Sequence, residues 1–303
     1  MVLIISEKGD YSTKDIIDWL VFYGQPFLII QPDDTLIFKF INSDYFIEID
    51  EKEINLDEIT AVWYRRGWLN LKFEKTGVEE IDRILIEERI HVSNFLYSLL
   101  YKKKHLNKRA HNDINKLIVL DIAKKHGILV PKEYYNSLNS DIPFQLITKS
   151  IAGSGSFLHD DEMYISFTQE VDLNNTIESS ENSYFQEKID KKYELRIFYL
   201  EGKFWSMAIF SQKDEQTKVD FRVYNREKPN RTVPYKLPKD IETKLDKLMR
   251  ELQINSGSID MIVTPDNNYY FLEINPIGQF SMTSFPCNYH LELEIANFLL
   301  DEK

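Results

Sequence analysis

The segment that most restricts this chain runs from Gly257 to Pro276. Two runs of strand composition, Gly257 to Thr264 and Tyr269 to Asn275, flank the turn sequence Pro265-Asp266-Asn267-Asn268. That pattern predicts a β-hairpin. With Thr264 opposite Tyr269, Asp260 falls directly opposite Glu273, and Asn275 shares Glu273's face. Ile259, Met261, Val263, Tyr270, Leu272 and Ile274 then share the other face, the expected core side. Two carboxylates facing each other across a ladder repel. A divalent cation between them reverses that sign. Asp, Glu and Asn supply only oxygen ligands, a set that suits a hard ion such as Mg²⁺, commonly shared with substrate phosphates. The same residues also fit a solvent-facing polar stripe. Pro276 and Gly278, which break the strand at its end, favour the ligand site.

A second stretch, Lys149-Ser150-Ile151-Ala152-Gly153-Ser154-Gly155-Ser156, lies between two apparent strands. Glycines let backbone N–H groups approach an anion, and serines add donors. The lysine precedes the glycines and no helix pattern follows, so this is not a P-loop. An ordinary hairpin is the alternative. A third stretch runs from Gln186 through Tyr193-Glu194-Leu195-Arg196 to Phe210, with Glu201-Gly202 as a turn. Glu194 and Arg196 share one strand face. An arginine beside a metal–phosphate site stabilises charge on a transferring phosphoryl group; a surface Glu–Arg pair is the alternative.

Around these stretches the chain reads as mixed α/β. Val2 to Ile5 predicts a buried strand, Thr13 to Tyr23 a helix capped by Ser12 or Thr13, and Phe27 to Ile30 a second strand. Leu36–Phe40 and Tyr45–Ile49 predict a hairpin, and Thr60–Tyr64 a strand ending in Arg65 and Arg66. Val78 to Tyr101 predicts a long helix with an apolar stripe at Ile81, Ile84, Leu85, Ile90, Phe95, Leu96 and Leu99. A basic linker, 102–109, leads to a helix over 113–126. Strands then dominate as far as residue 275, with a helix over 239–252 between them and a final helix over about 288–300.

The 303 residues carry a net charge of −12, which argues against sequence-blind nucleic-acid binding. One cysteine, Cys287, excludes an internal disulfide and a multi-cysteine metal site. The opening apolar run is too short for a secretory signal, and no stretch reaches a membrane span of roughly 18 apolar residues. The expected location is cytoplasmic, with no nucleic-acid and no membrane partner.

The three chemical stretches, in this order, resemble the ATP-grasp superfamily from about Asn107 to Cys287. Leu272-Glu273-Ile274-Asn275-Pro276-Ile277-Gly278-Gln279-Phe280 and Phe285-Pro286-Cys287-Asn288-Tyr289 look like the graspetide ligases. Those are the microviridin-type and grasp-with-spasm peptide maturases. Ala61-Val62-Trp63-Tyr64-Arg65-Arg66 extends the likeness to the N-terminal region. The resemblance implies an α/β (α+β) ATP-grasp fold with a pre-ATP-grasp domain over 1–110. A central subdomain over 111–190 and a C-terminal one over 191–303 follow, with the nucleotide held between two antiparallel-sheet subdomains.

It implies ATP and Mg²⁺. Lys116 and Lys149 match nucleotide-contacting lysines, and Gly153, Ser154 and Gly155, with Ser156, match the small loop over the phosphates. Gln186, Glu187, Lys188 and Ile189 match the hinge at adenine, and Glu194 the ribose-binding acid. Arg196 and Arg222 match arginines near the transferred phosphate. Asp260, Glu273 and Asn275 match the magnesium ligands. Arg65 and Arg66 match a motif open to two readings, substrate carboxylate contact or structural pairing.

The implied reaction joins an Asp or Glu side chain to a Ser or Thr hydroxyl or a Lys amine in a ribosomal precursor peptide. That peptide carries a leader and a core rich in Ser/Thr and Asp/Glu. The resemblance is compatible with a homodimer. An ATP-grasp ligase of free amino acids or small peptides, or a nucleotide-binding sensor without turnover, would use the same nucleotide residues.

Overall fold

A computed structural model describes residues 1–136, 142–152, 156–159, 162–165, 168–171, 182–212 and 229–300. The chain divides into two compact units. The first comprises residues 1–112, 279–281 and 290–303, the second residues 113–278 and 282–289.

In the first unit, β1 (Val2–Ile5), β2 (Phe27–Ile30), β6 (Ala61–Tyr64) and β8 (Lys104–Leu106) form a parallel sheet in the order β2-β1-β6-β8. β1 is continuously apolar and buried, as a strand covered on both faces must be. Helix α1 (Tyr11–Phe22) follows β1, and its cap is Asp10, whose carboxylate accepts from Thr13 N at 3.3 Å. The expected caps Ser12 and Thr13 lie inside the helix, with Ser6 and Thr13 sharing a buried hydroxyl pair. A second sheet has the order β5-β4-β3-β7, built from β3 (Thr35–Ile41), β4 (Asp44–Ile49), β5 (Lys52–Asn55) and β7 (Asn70–Leu71).

Helix α2 (Glu79–Leu100) forms where expected, but most of its apolar stripe is not buried. Only Leu96, Tyr97, Leu99 and Leu100 are buried, while Ile81, Ile84, Leu85 and Ile90 are exposed. Its periodicity is that of a core helix, but among the described residues no layer covers its first turns.

The second unit begins with α3 (Lys116–Lys125), which starts later than expected because Asn115 caps it through bonds from Leu117 N and Ile118 N. A sheet in the order β13-β10-β14-β9 uses β9 (Glu133–Tyr135), β10 (Leu146–Thr148), β13 (Gln169–Val171) and β14 (Tyr184–Glu187). The pair β11 (Ser156–His159) and β12 (Glu162–Ile165) stands apart from it. A five-stranded antiparallel sheet has the order β17-β16-β15-β18-β19. Its strands are β15 (Tyr193–Leu200), β16 (Lys203–Phe210), β17 (Arg231–Tyr235), β18 (Ser256–Val263) and β19 (Tyr269–Asn275).

One face of that sheet is the unit's core. Leu195, Ile197, Ile259, Met261 and Phe271 pack there with Val119 and Leu120 of α3 and with Leu245 and Leu248 of α4 (Lys239–Glu251). Strand alternation therefore turns Glu194, Arg196 and Asp260 to the other face. Helix α5 (Ser281–Cys287) follows β19, and Cys287 packs on Met207 and Ile209 of β16.

The last helix, α6 (Leu291–Leu300), belongs to the first unit. It buries Leu291, Ile295, Ala296 and Leu299 and packs against α1. The expected 191–303 span thus extends beyond the compact unit that holds the five-stranded sheet. Among the described residues no helix is long and apolar enough to cross a membrane.

The hairpin β18–β19 departs from its expected register at the turn. Val263 pairs with Tyr269, which leaves Thr264 to Asn268 as the connection, one residue longer than expected. A β-bulge then restores the register: Met261 pairs with Phe271, but Asp260 pairs with Glu273. Leu272 is the extra residue. Asp260 therefore faces Glu273 as the sequence predicts. The core assignment of Tyr270 and Leu272 is corrected, because the bulge shifts the alternation and Phe271 and Tyr269 pack into the core instead. Phe271→Ala is expected to cost about 3–5 kcal/mol, and Leu272→Ala less than half as much. Urea unfolding of the two variants checks this; a larger loss at Leu272 would contradict the bulge.

Candidate functional site

Three neighbouring strands set a row of charge across the polar face of the five-stranded sheet. Arg196 on β15 pairs in register with Asp260 on β18, and Asp260 with Glu273 on β19. Arg196 Nη1 donates to both oxygens of Asp260, at 2.8 and 2.6 Å, and both side chains are buried. At the other end Lys116 Nζ, from the first turn of α3, lies 3.1 Å from Glu273 Oε2. Asn275 Nδ2 lies 3.4 Å from Asp260 Oδ2 and 3.4 Å from Glu273 Oε1.

Two cations therefore flank the two carboxylates, and the repulsion expected from sequence is already offset by Arg196 and Lys116. Burying charges this deeply costs several kcal/mol per ion unless they are paired. Among the described residues no three His, Cys, Asp or Glu side chains gather. That donor set does not make an all-protein cage. It fits Mg²⁺, which takes one or two carboxylates and completes its shell with water and phosphate oxygens.

Two glycines let the chain close around this row. A Cβ on Gly278 would lie 2.5 Å from Ser258 Oγ and 2.9 Å from Asn275 O, so no side chain fits. A Cβ on Gly257 would lie 3.1 Å from Asn275 O. The turn after β19 thus rests directly on the start of β18, where Gly278 N donates to Asn275 O at 2.9 Å.

Beside the row is a cavity of about 100 Å³. Its apolar lining includes Ile147, Ile189, Ile262 and Leu272, and its polar lining includes Lys149, Gln186, Glu194, Asp260 and Glu273. The sequence-predicted residues Glu187 and Lys188 line it as well. The Lys188 ammonium is engaged elsewhere, with Gln145 Oε1 at 3.0 Å and Glu170 Oε1 at 2.6 Å.

Lys191, which the sequence reading passed over, also lines the cavity, and its buried ammonium pairs with Glu194 Oε1. A lysine three residues before the acid that opens a strand was the available signal. Gly153, Ser154, Gly155 and Arg222 lie outside the described residues, as does the side chain of Ser156.

Arg65 and Arg66 are in the first unit. Arg65 is buried and its Nε lies 3.0 Å from Asp10 Oδ2; Arg66 Nε lies 3.5 Å from the same oxygen. Burial pushes Arg65 down to about 10, opposed by Asp10 and assisted by Arg66, and it stays a cation at neutral pH. Arg65 thus ties β6 to the α1 cap. Arg66 is 43% exposed and lines a cavity with Asp10, Ser12, Gln279 and Ser281.

No protein-family model matches the chain, and no curated protein matches it by sequence. Solved structures do. A Chryseobacterium gregarium RiPP-associated ATP-grasp ligase, in complex with ADP and a leader and core peptide, matches with a TM-score of 0.81 and 26% identity. The match covers 100% of this chain and 97% of that one. The macrocyclase MdnC of Microcystis aeruginosa, bound with the precursor peptide MdnA, matches with a TM-score of 0.78 and 27% identity over 99% of each chain.

The chain has the ATP-grasp fold, in the form of the RiPP-associated ligases.

The ATP-grasp ligase PsnB, complexed with a phosphomimetic variant of its minimal precursor, Mg and ADP, matches in fold with a TM-score of 0.71. Its identity is 14%, over 99% of this chain and 97% of that one. In this ATP-grasp chain, Arg196→Met is expected to cost about 3–5 kcal/mol, because Asp260 is left buried without its cation. Adding Asp260→Asn should return most of that loss. A double-mutant cycle by chemical denaturation measures the coupling; additive losses would contradict the pairing.

Proposed function

We propose that this chain is an ADP-forming ligase that installs ester or amide cross-links between side chains of a ribosomally made precursor peptide. The observation that carries the proposal is the paired register of Arg196, Asp260 and Glu273 beside the cavity, on a fold shared end to end with peptide-binding ATP-grasp ligases. ATP supplies a γ-phosphoryl group that activates a carboxylate, so that a hydroxyl or amine can displace phosphate from the acyl carbon. Mg²⁺ offsets phosphate charge.

The chain's own residues divide the remaining work. Asp260, Glu273 and Asn275 hold the metal through oxygen. Lys116, fixed by Glu273, and Lys149, on the cavity wall, hold phosphate oxygens. Glu194, held by Lys191, takes the ribose, and the hinge from Gln186 to Ile189 takes the base. Arg196 spends Nη1 on Asp260, and its buried Nε has no hydrogen-bond partner among the described residues. That leaves donor capacity for an anion, the requirement for stabilising a departing phosphate. Arg222 and the Gly153, Ser154 and Gly155 loop complete the phosphate site in this reading. Positioning and charge neutralisation dominate such chemistry, and no covalent enzyme intermediate is needed.

The substrate in this reading has a leader and a core rich in Ser/Thr and Asp/Glu. Arg66 is the substrate-facing member of the arginine pair. Residues 1–110, together with the last helix, serve as the pre-ATP-grasp domain, 111–190 and 191–278 as the two halves around the nucleotide, and the reaction takes place in the cytoplasm, where ATP is supplied.

The test uses a short peptide of that composition encoded beside the gene, incubated with the full chain, ATP and Mg²⁺. Mass spectrometry is expected to detect loss of one water per cross-link, with ADP formed in step. Asp260→Asn combined with Glu273→Gln should abolish both. Cross-linking that survives in that variant, or ADP formation only with free amino acids, would contradict the proposal.

A further inference from the structure

The first unit holds a second cavity, of about 140 Å³, that the nucleotide chemistry leaves unassigned. Its lining comes from Trp68 and the end strand β7, from the middle of α2, and from Arg109, the last residue of the basic linker. Arg89 and Arg109 are its charged members, Asn70 and Asn94 its side-chain amides. Trp68, 49% exposed, and Ile90, 52% exposed, add apolar surface.

Both guanidiniums are set against aromatic rings. Arg89 lies over the Phe73 ring, 4.9 Å from its centroid, and its Nη1 donates to Leu71 O at 3.3 Å. Arg109 lies over the Tyr97 ring, 5.7 Å from its centroid. Tyr97 is buried and stacked on Tyr101, and its hydroxyl accepts from Leu69 N at 2.9 Å. The Tyr101 hydroxyl accepts from Arg109 N at 2.7 Å. These contacts use the guanidinium faces and one donor of Arg89. A guanidinium has five N–H donors, so its edge keeps capacity for a ligand.

The chain carries 49 Asp and Glu against 37 Lys and Arg. Despite that surplus, no carboxylate lines this cavity, and neither arginine forms an ion pair among the described residues. Asn70 and Asn94 likewise make no side-chain hydrogen bond among the described residues. Each feature of the lining matches one part of an acidic peptide. Arginine forks pair with carboxylates. Carboxamides match the donor and the acceptor of a peptide bond. Trp68 and Ile90 match the aliphatic parts of side chains. A free inorganic anion would use the arginines alone, and a nucleic-acid strand would meet a chain of net charge −12.

We propose that this cavity docks an acidic segment of the peptide substrate, whose carboxylates pair with Arg89 and Arg109. The carboxylates it holds are not the one being activated, which reacts at the charged row of the second unit. The assignment rests on the peptide substrate proposed above.

The probe is a fluorescein-labelled synthetic peptide of alternating Thr and Glu, with a control that has Gln at every Glu position. Titration of each with the full chain is followed by fluorescence anisotropy. At low salt the unaltered protein should bind the acidic peptide about tenfold more tightly than the control, the ratio expected for two partly exposed ion pairs. The preference should shrink as salt is raised. Arg89→Gln combined with Arg109→Gln should bring the ratio near one while leaving the binding of ADP with Mg²⁺ unchanged. Arg109→Gln alone serves if the double variant fails to fold, because that side chain is exposed and makes no hydrogen bond among the described residues; it should lose about threefold. Preference retained in a folded variant, equal binding of both peptides by the unaltered protein, or binding of neither would overturn the docking site. Inorganic phosphate that binds through the same arginines and displaces the peptide would overturn it in favour of a small-anion site. The proposed reaction fails by a different sign, the absence of cross-linking by the unaltered protein.

Discussion

The registers of β18 against β15 and β19 fix everything else at this site. They place Arg196, Asp260 and Glu273 in one row across three strands, with Lys116 closing its far end. The charges alternate in pairs, two cations outside and two carboxylates inside. Such a row survives burial only if each ion has its partner in place. The opposite face of the same strands supplies the rigidity, through Leu195, Ile259, Met261 and Phe271 packed beneath α3 and α4. A strand slip of one residue would exchange the two faces and destroy core and site together.

The row also limits what the site can hold. Two carboxylates and an amide leave a hard cation dependent on outside oxygens for most of its shell. The adjoining cavity is lined both by aliphatic side chains and by Lys149, Lys191 and Glu194, a mixture that suits a ligand with an apolar and an anionic part. A nucleotide has that polarity, and the RiPP-associated ligases that share this fold are structures of proteins complexed with such ligands.

Much of this was legible in the sequence, though by uneven routes. The opposition of Asp260 and Glu273 follows from strand alternation and a turn sequence. Yet the connection is one residue longer than its composition suggests, and the bulge at Leu272 cancels the difference. Alternation carries no mark of a bulge, so Leu272 reads as core when it faces the cavity. Arg196 could be placed on the right face, but its partner could not, because nothing local relates residue 196 to residue 260. Lys191 and the caps Asp10 and Asn115 were missed for the same kind of reason: their roles are set by a bond to one neighbour rather than by periodicity. The stripe on α2 shows the converse, since a helical period reports an apolar face without saying what covers it.

The central claim is that Asp260 and Glu273 together hold a divalent ion that accompanies a nucleotide. Crystals grown with a non-hydrolysable ATP analogue and Mn²⁺ in place of Mg²⁺ test it most directly, through the anomalous scattering of manganese. The account predicts a manganese peak within bonding distance of a carboxylate oxygen of each residue, with phosphate oxygens completing its shell. Manganese bound elsewhere, or a nucleotide seated with both carboxylates still closed on Arg196 and Lys116 and no metal between them, would contradict it.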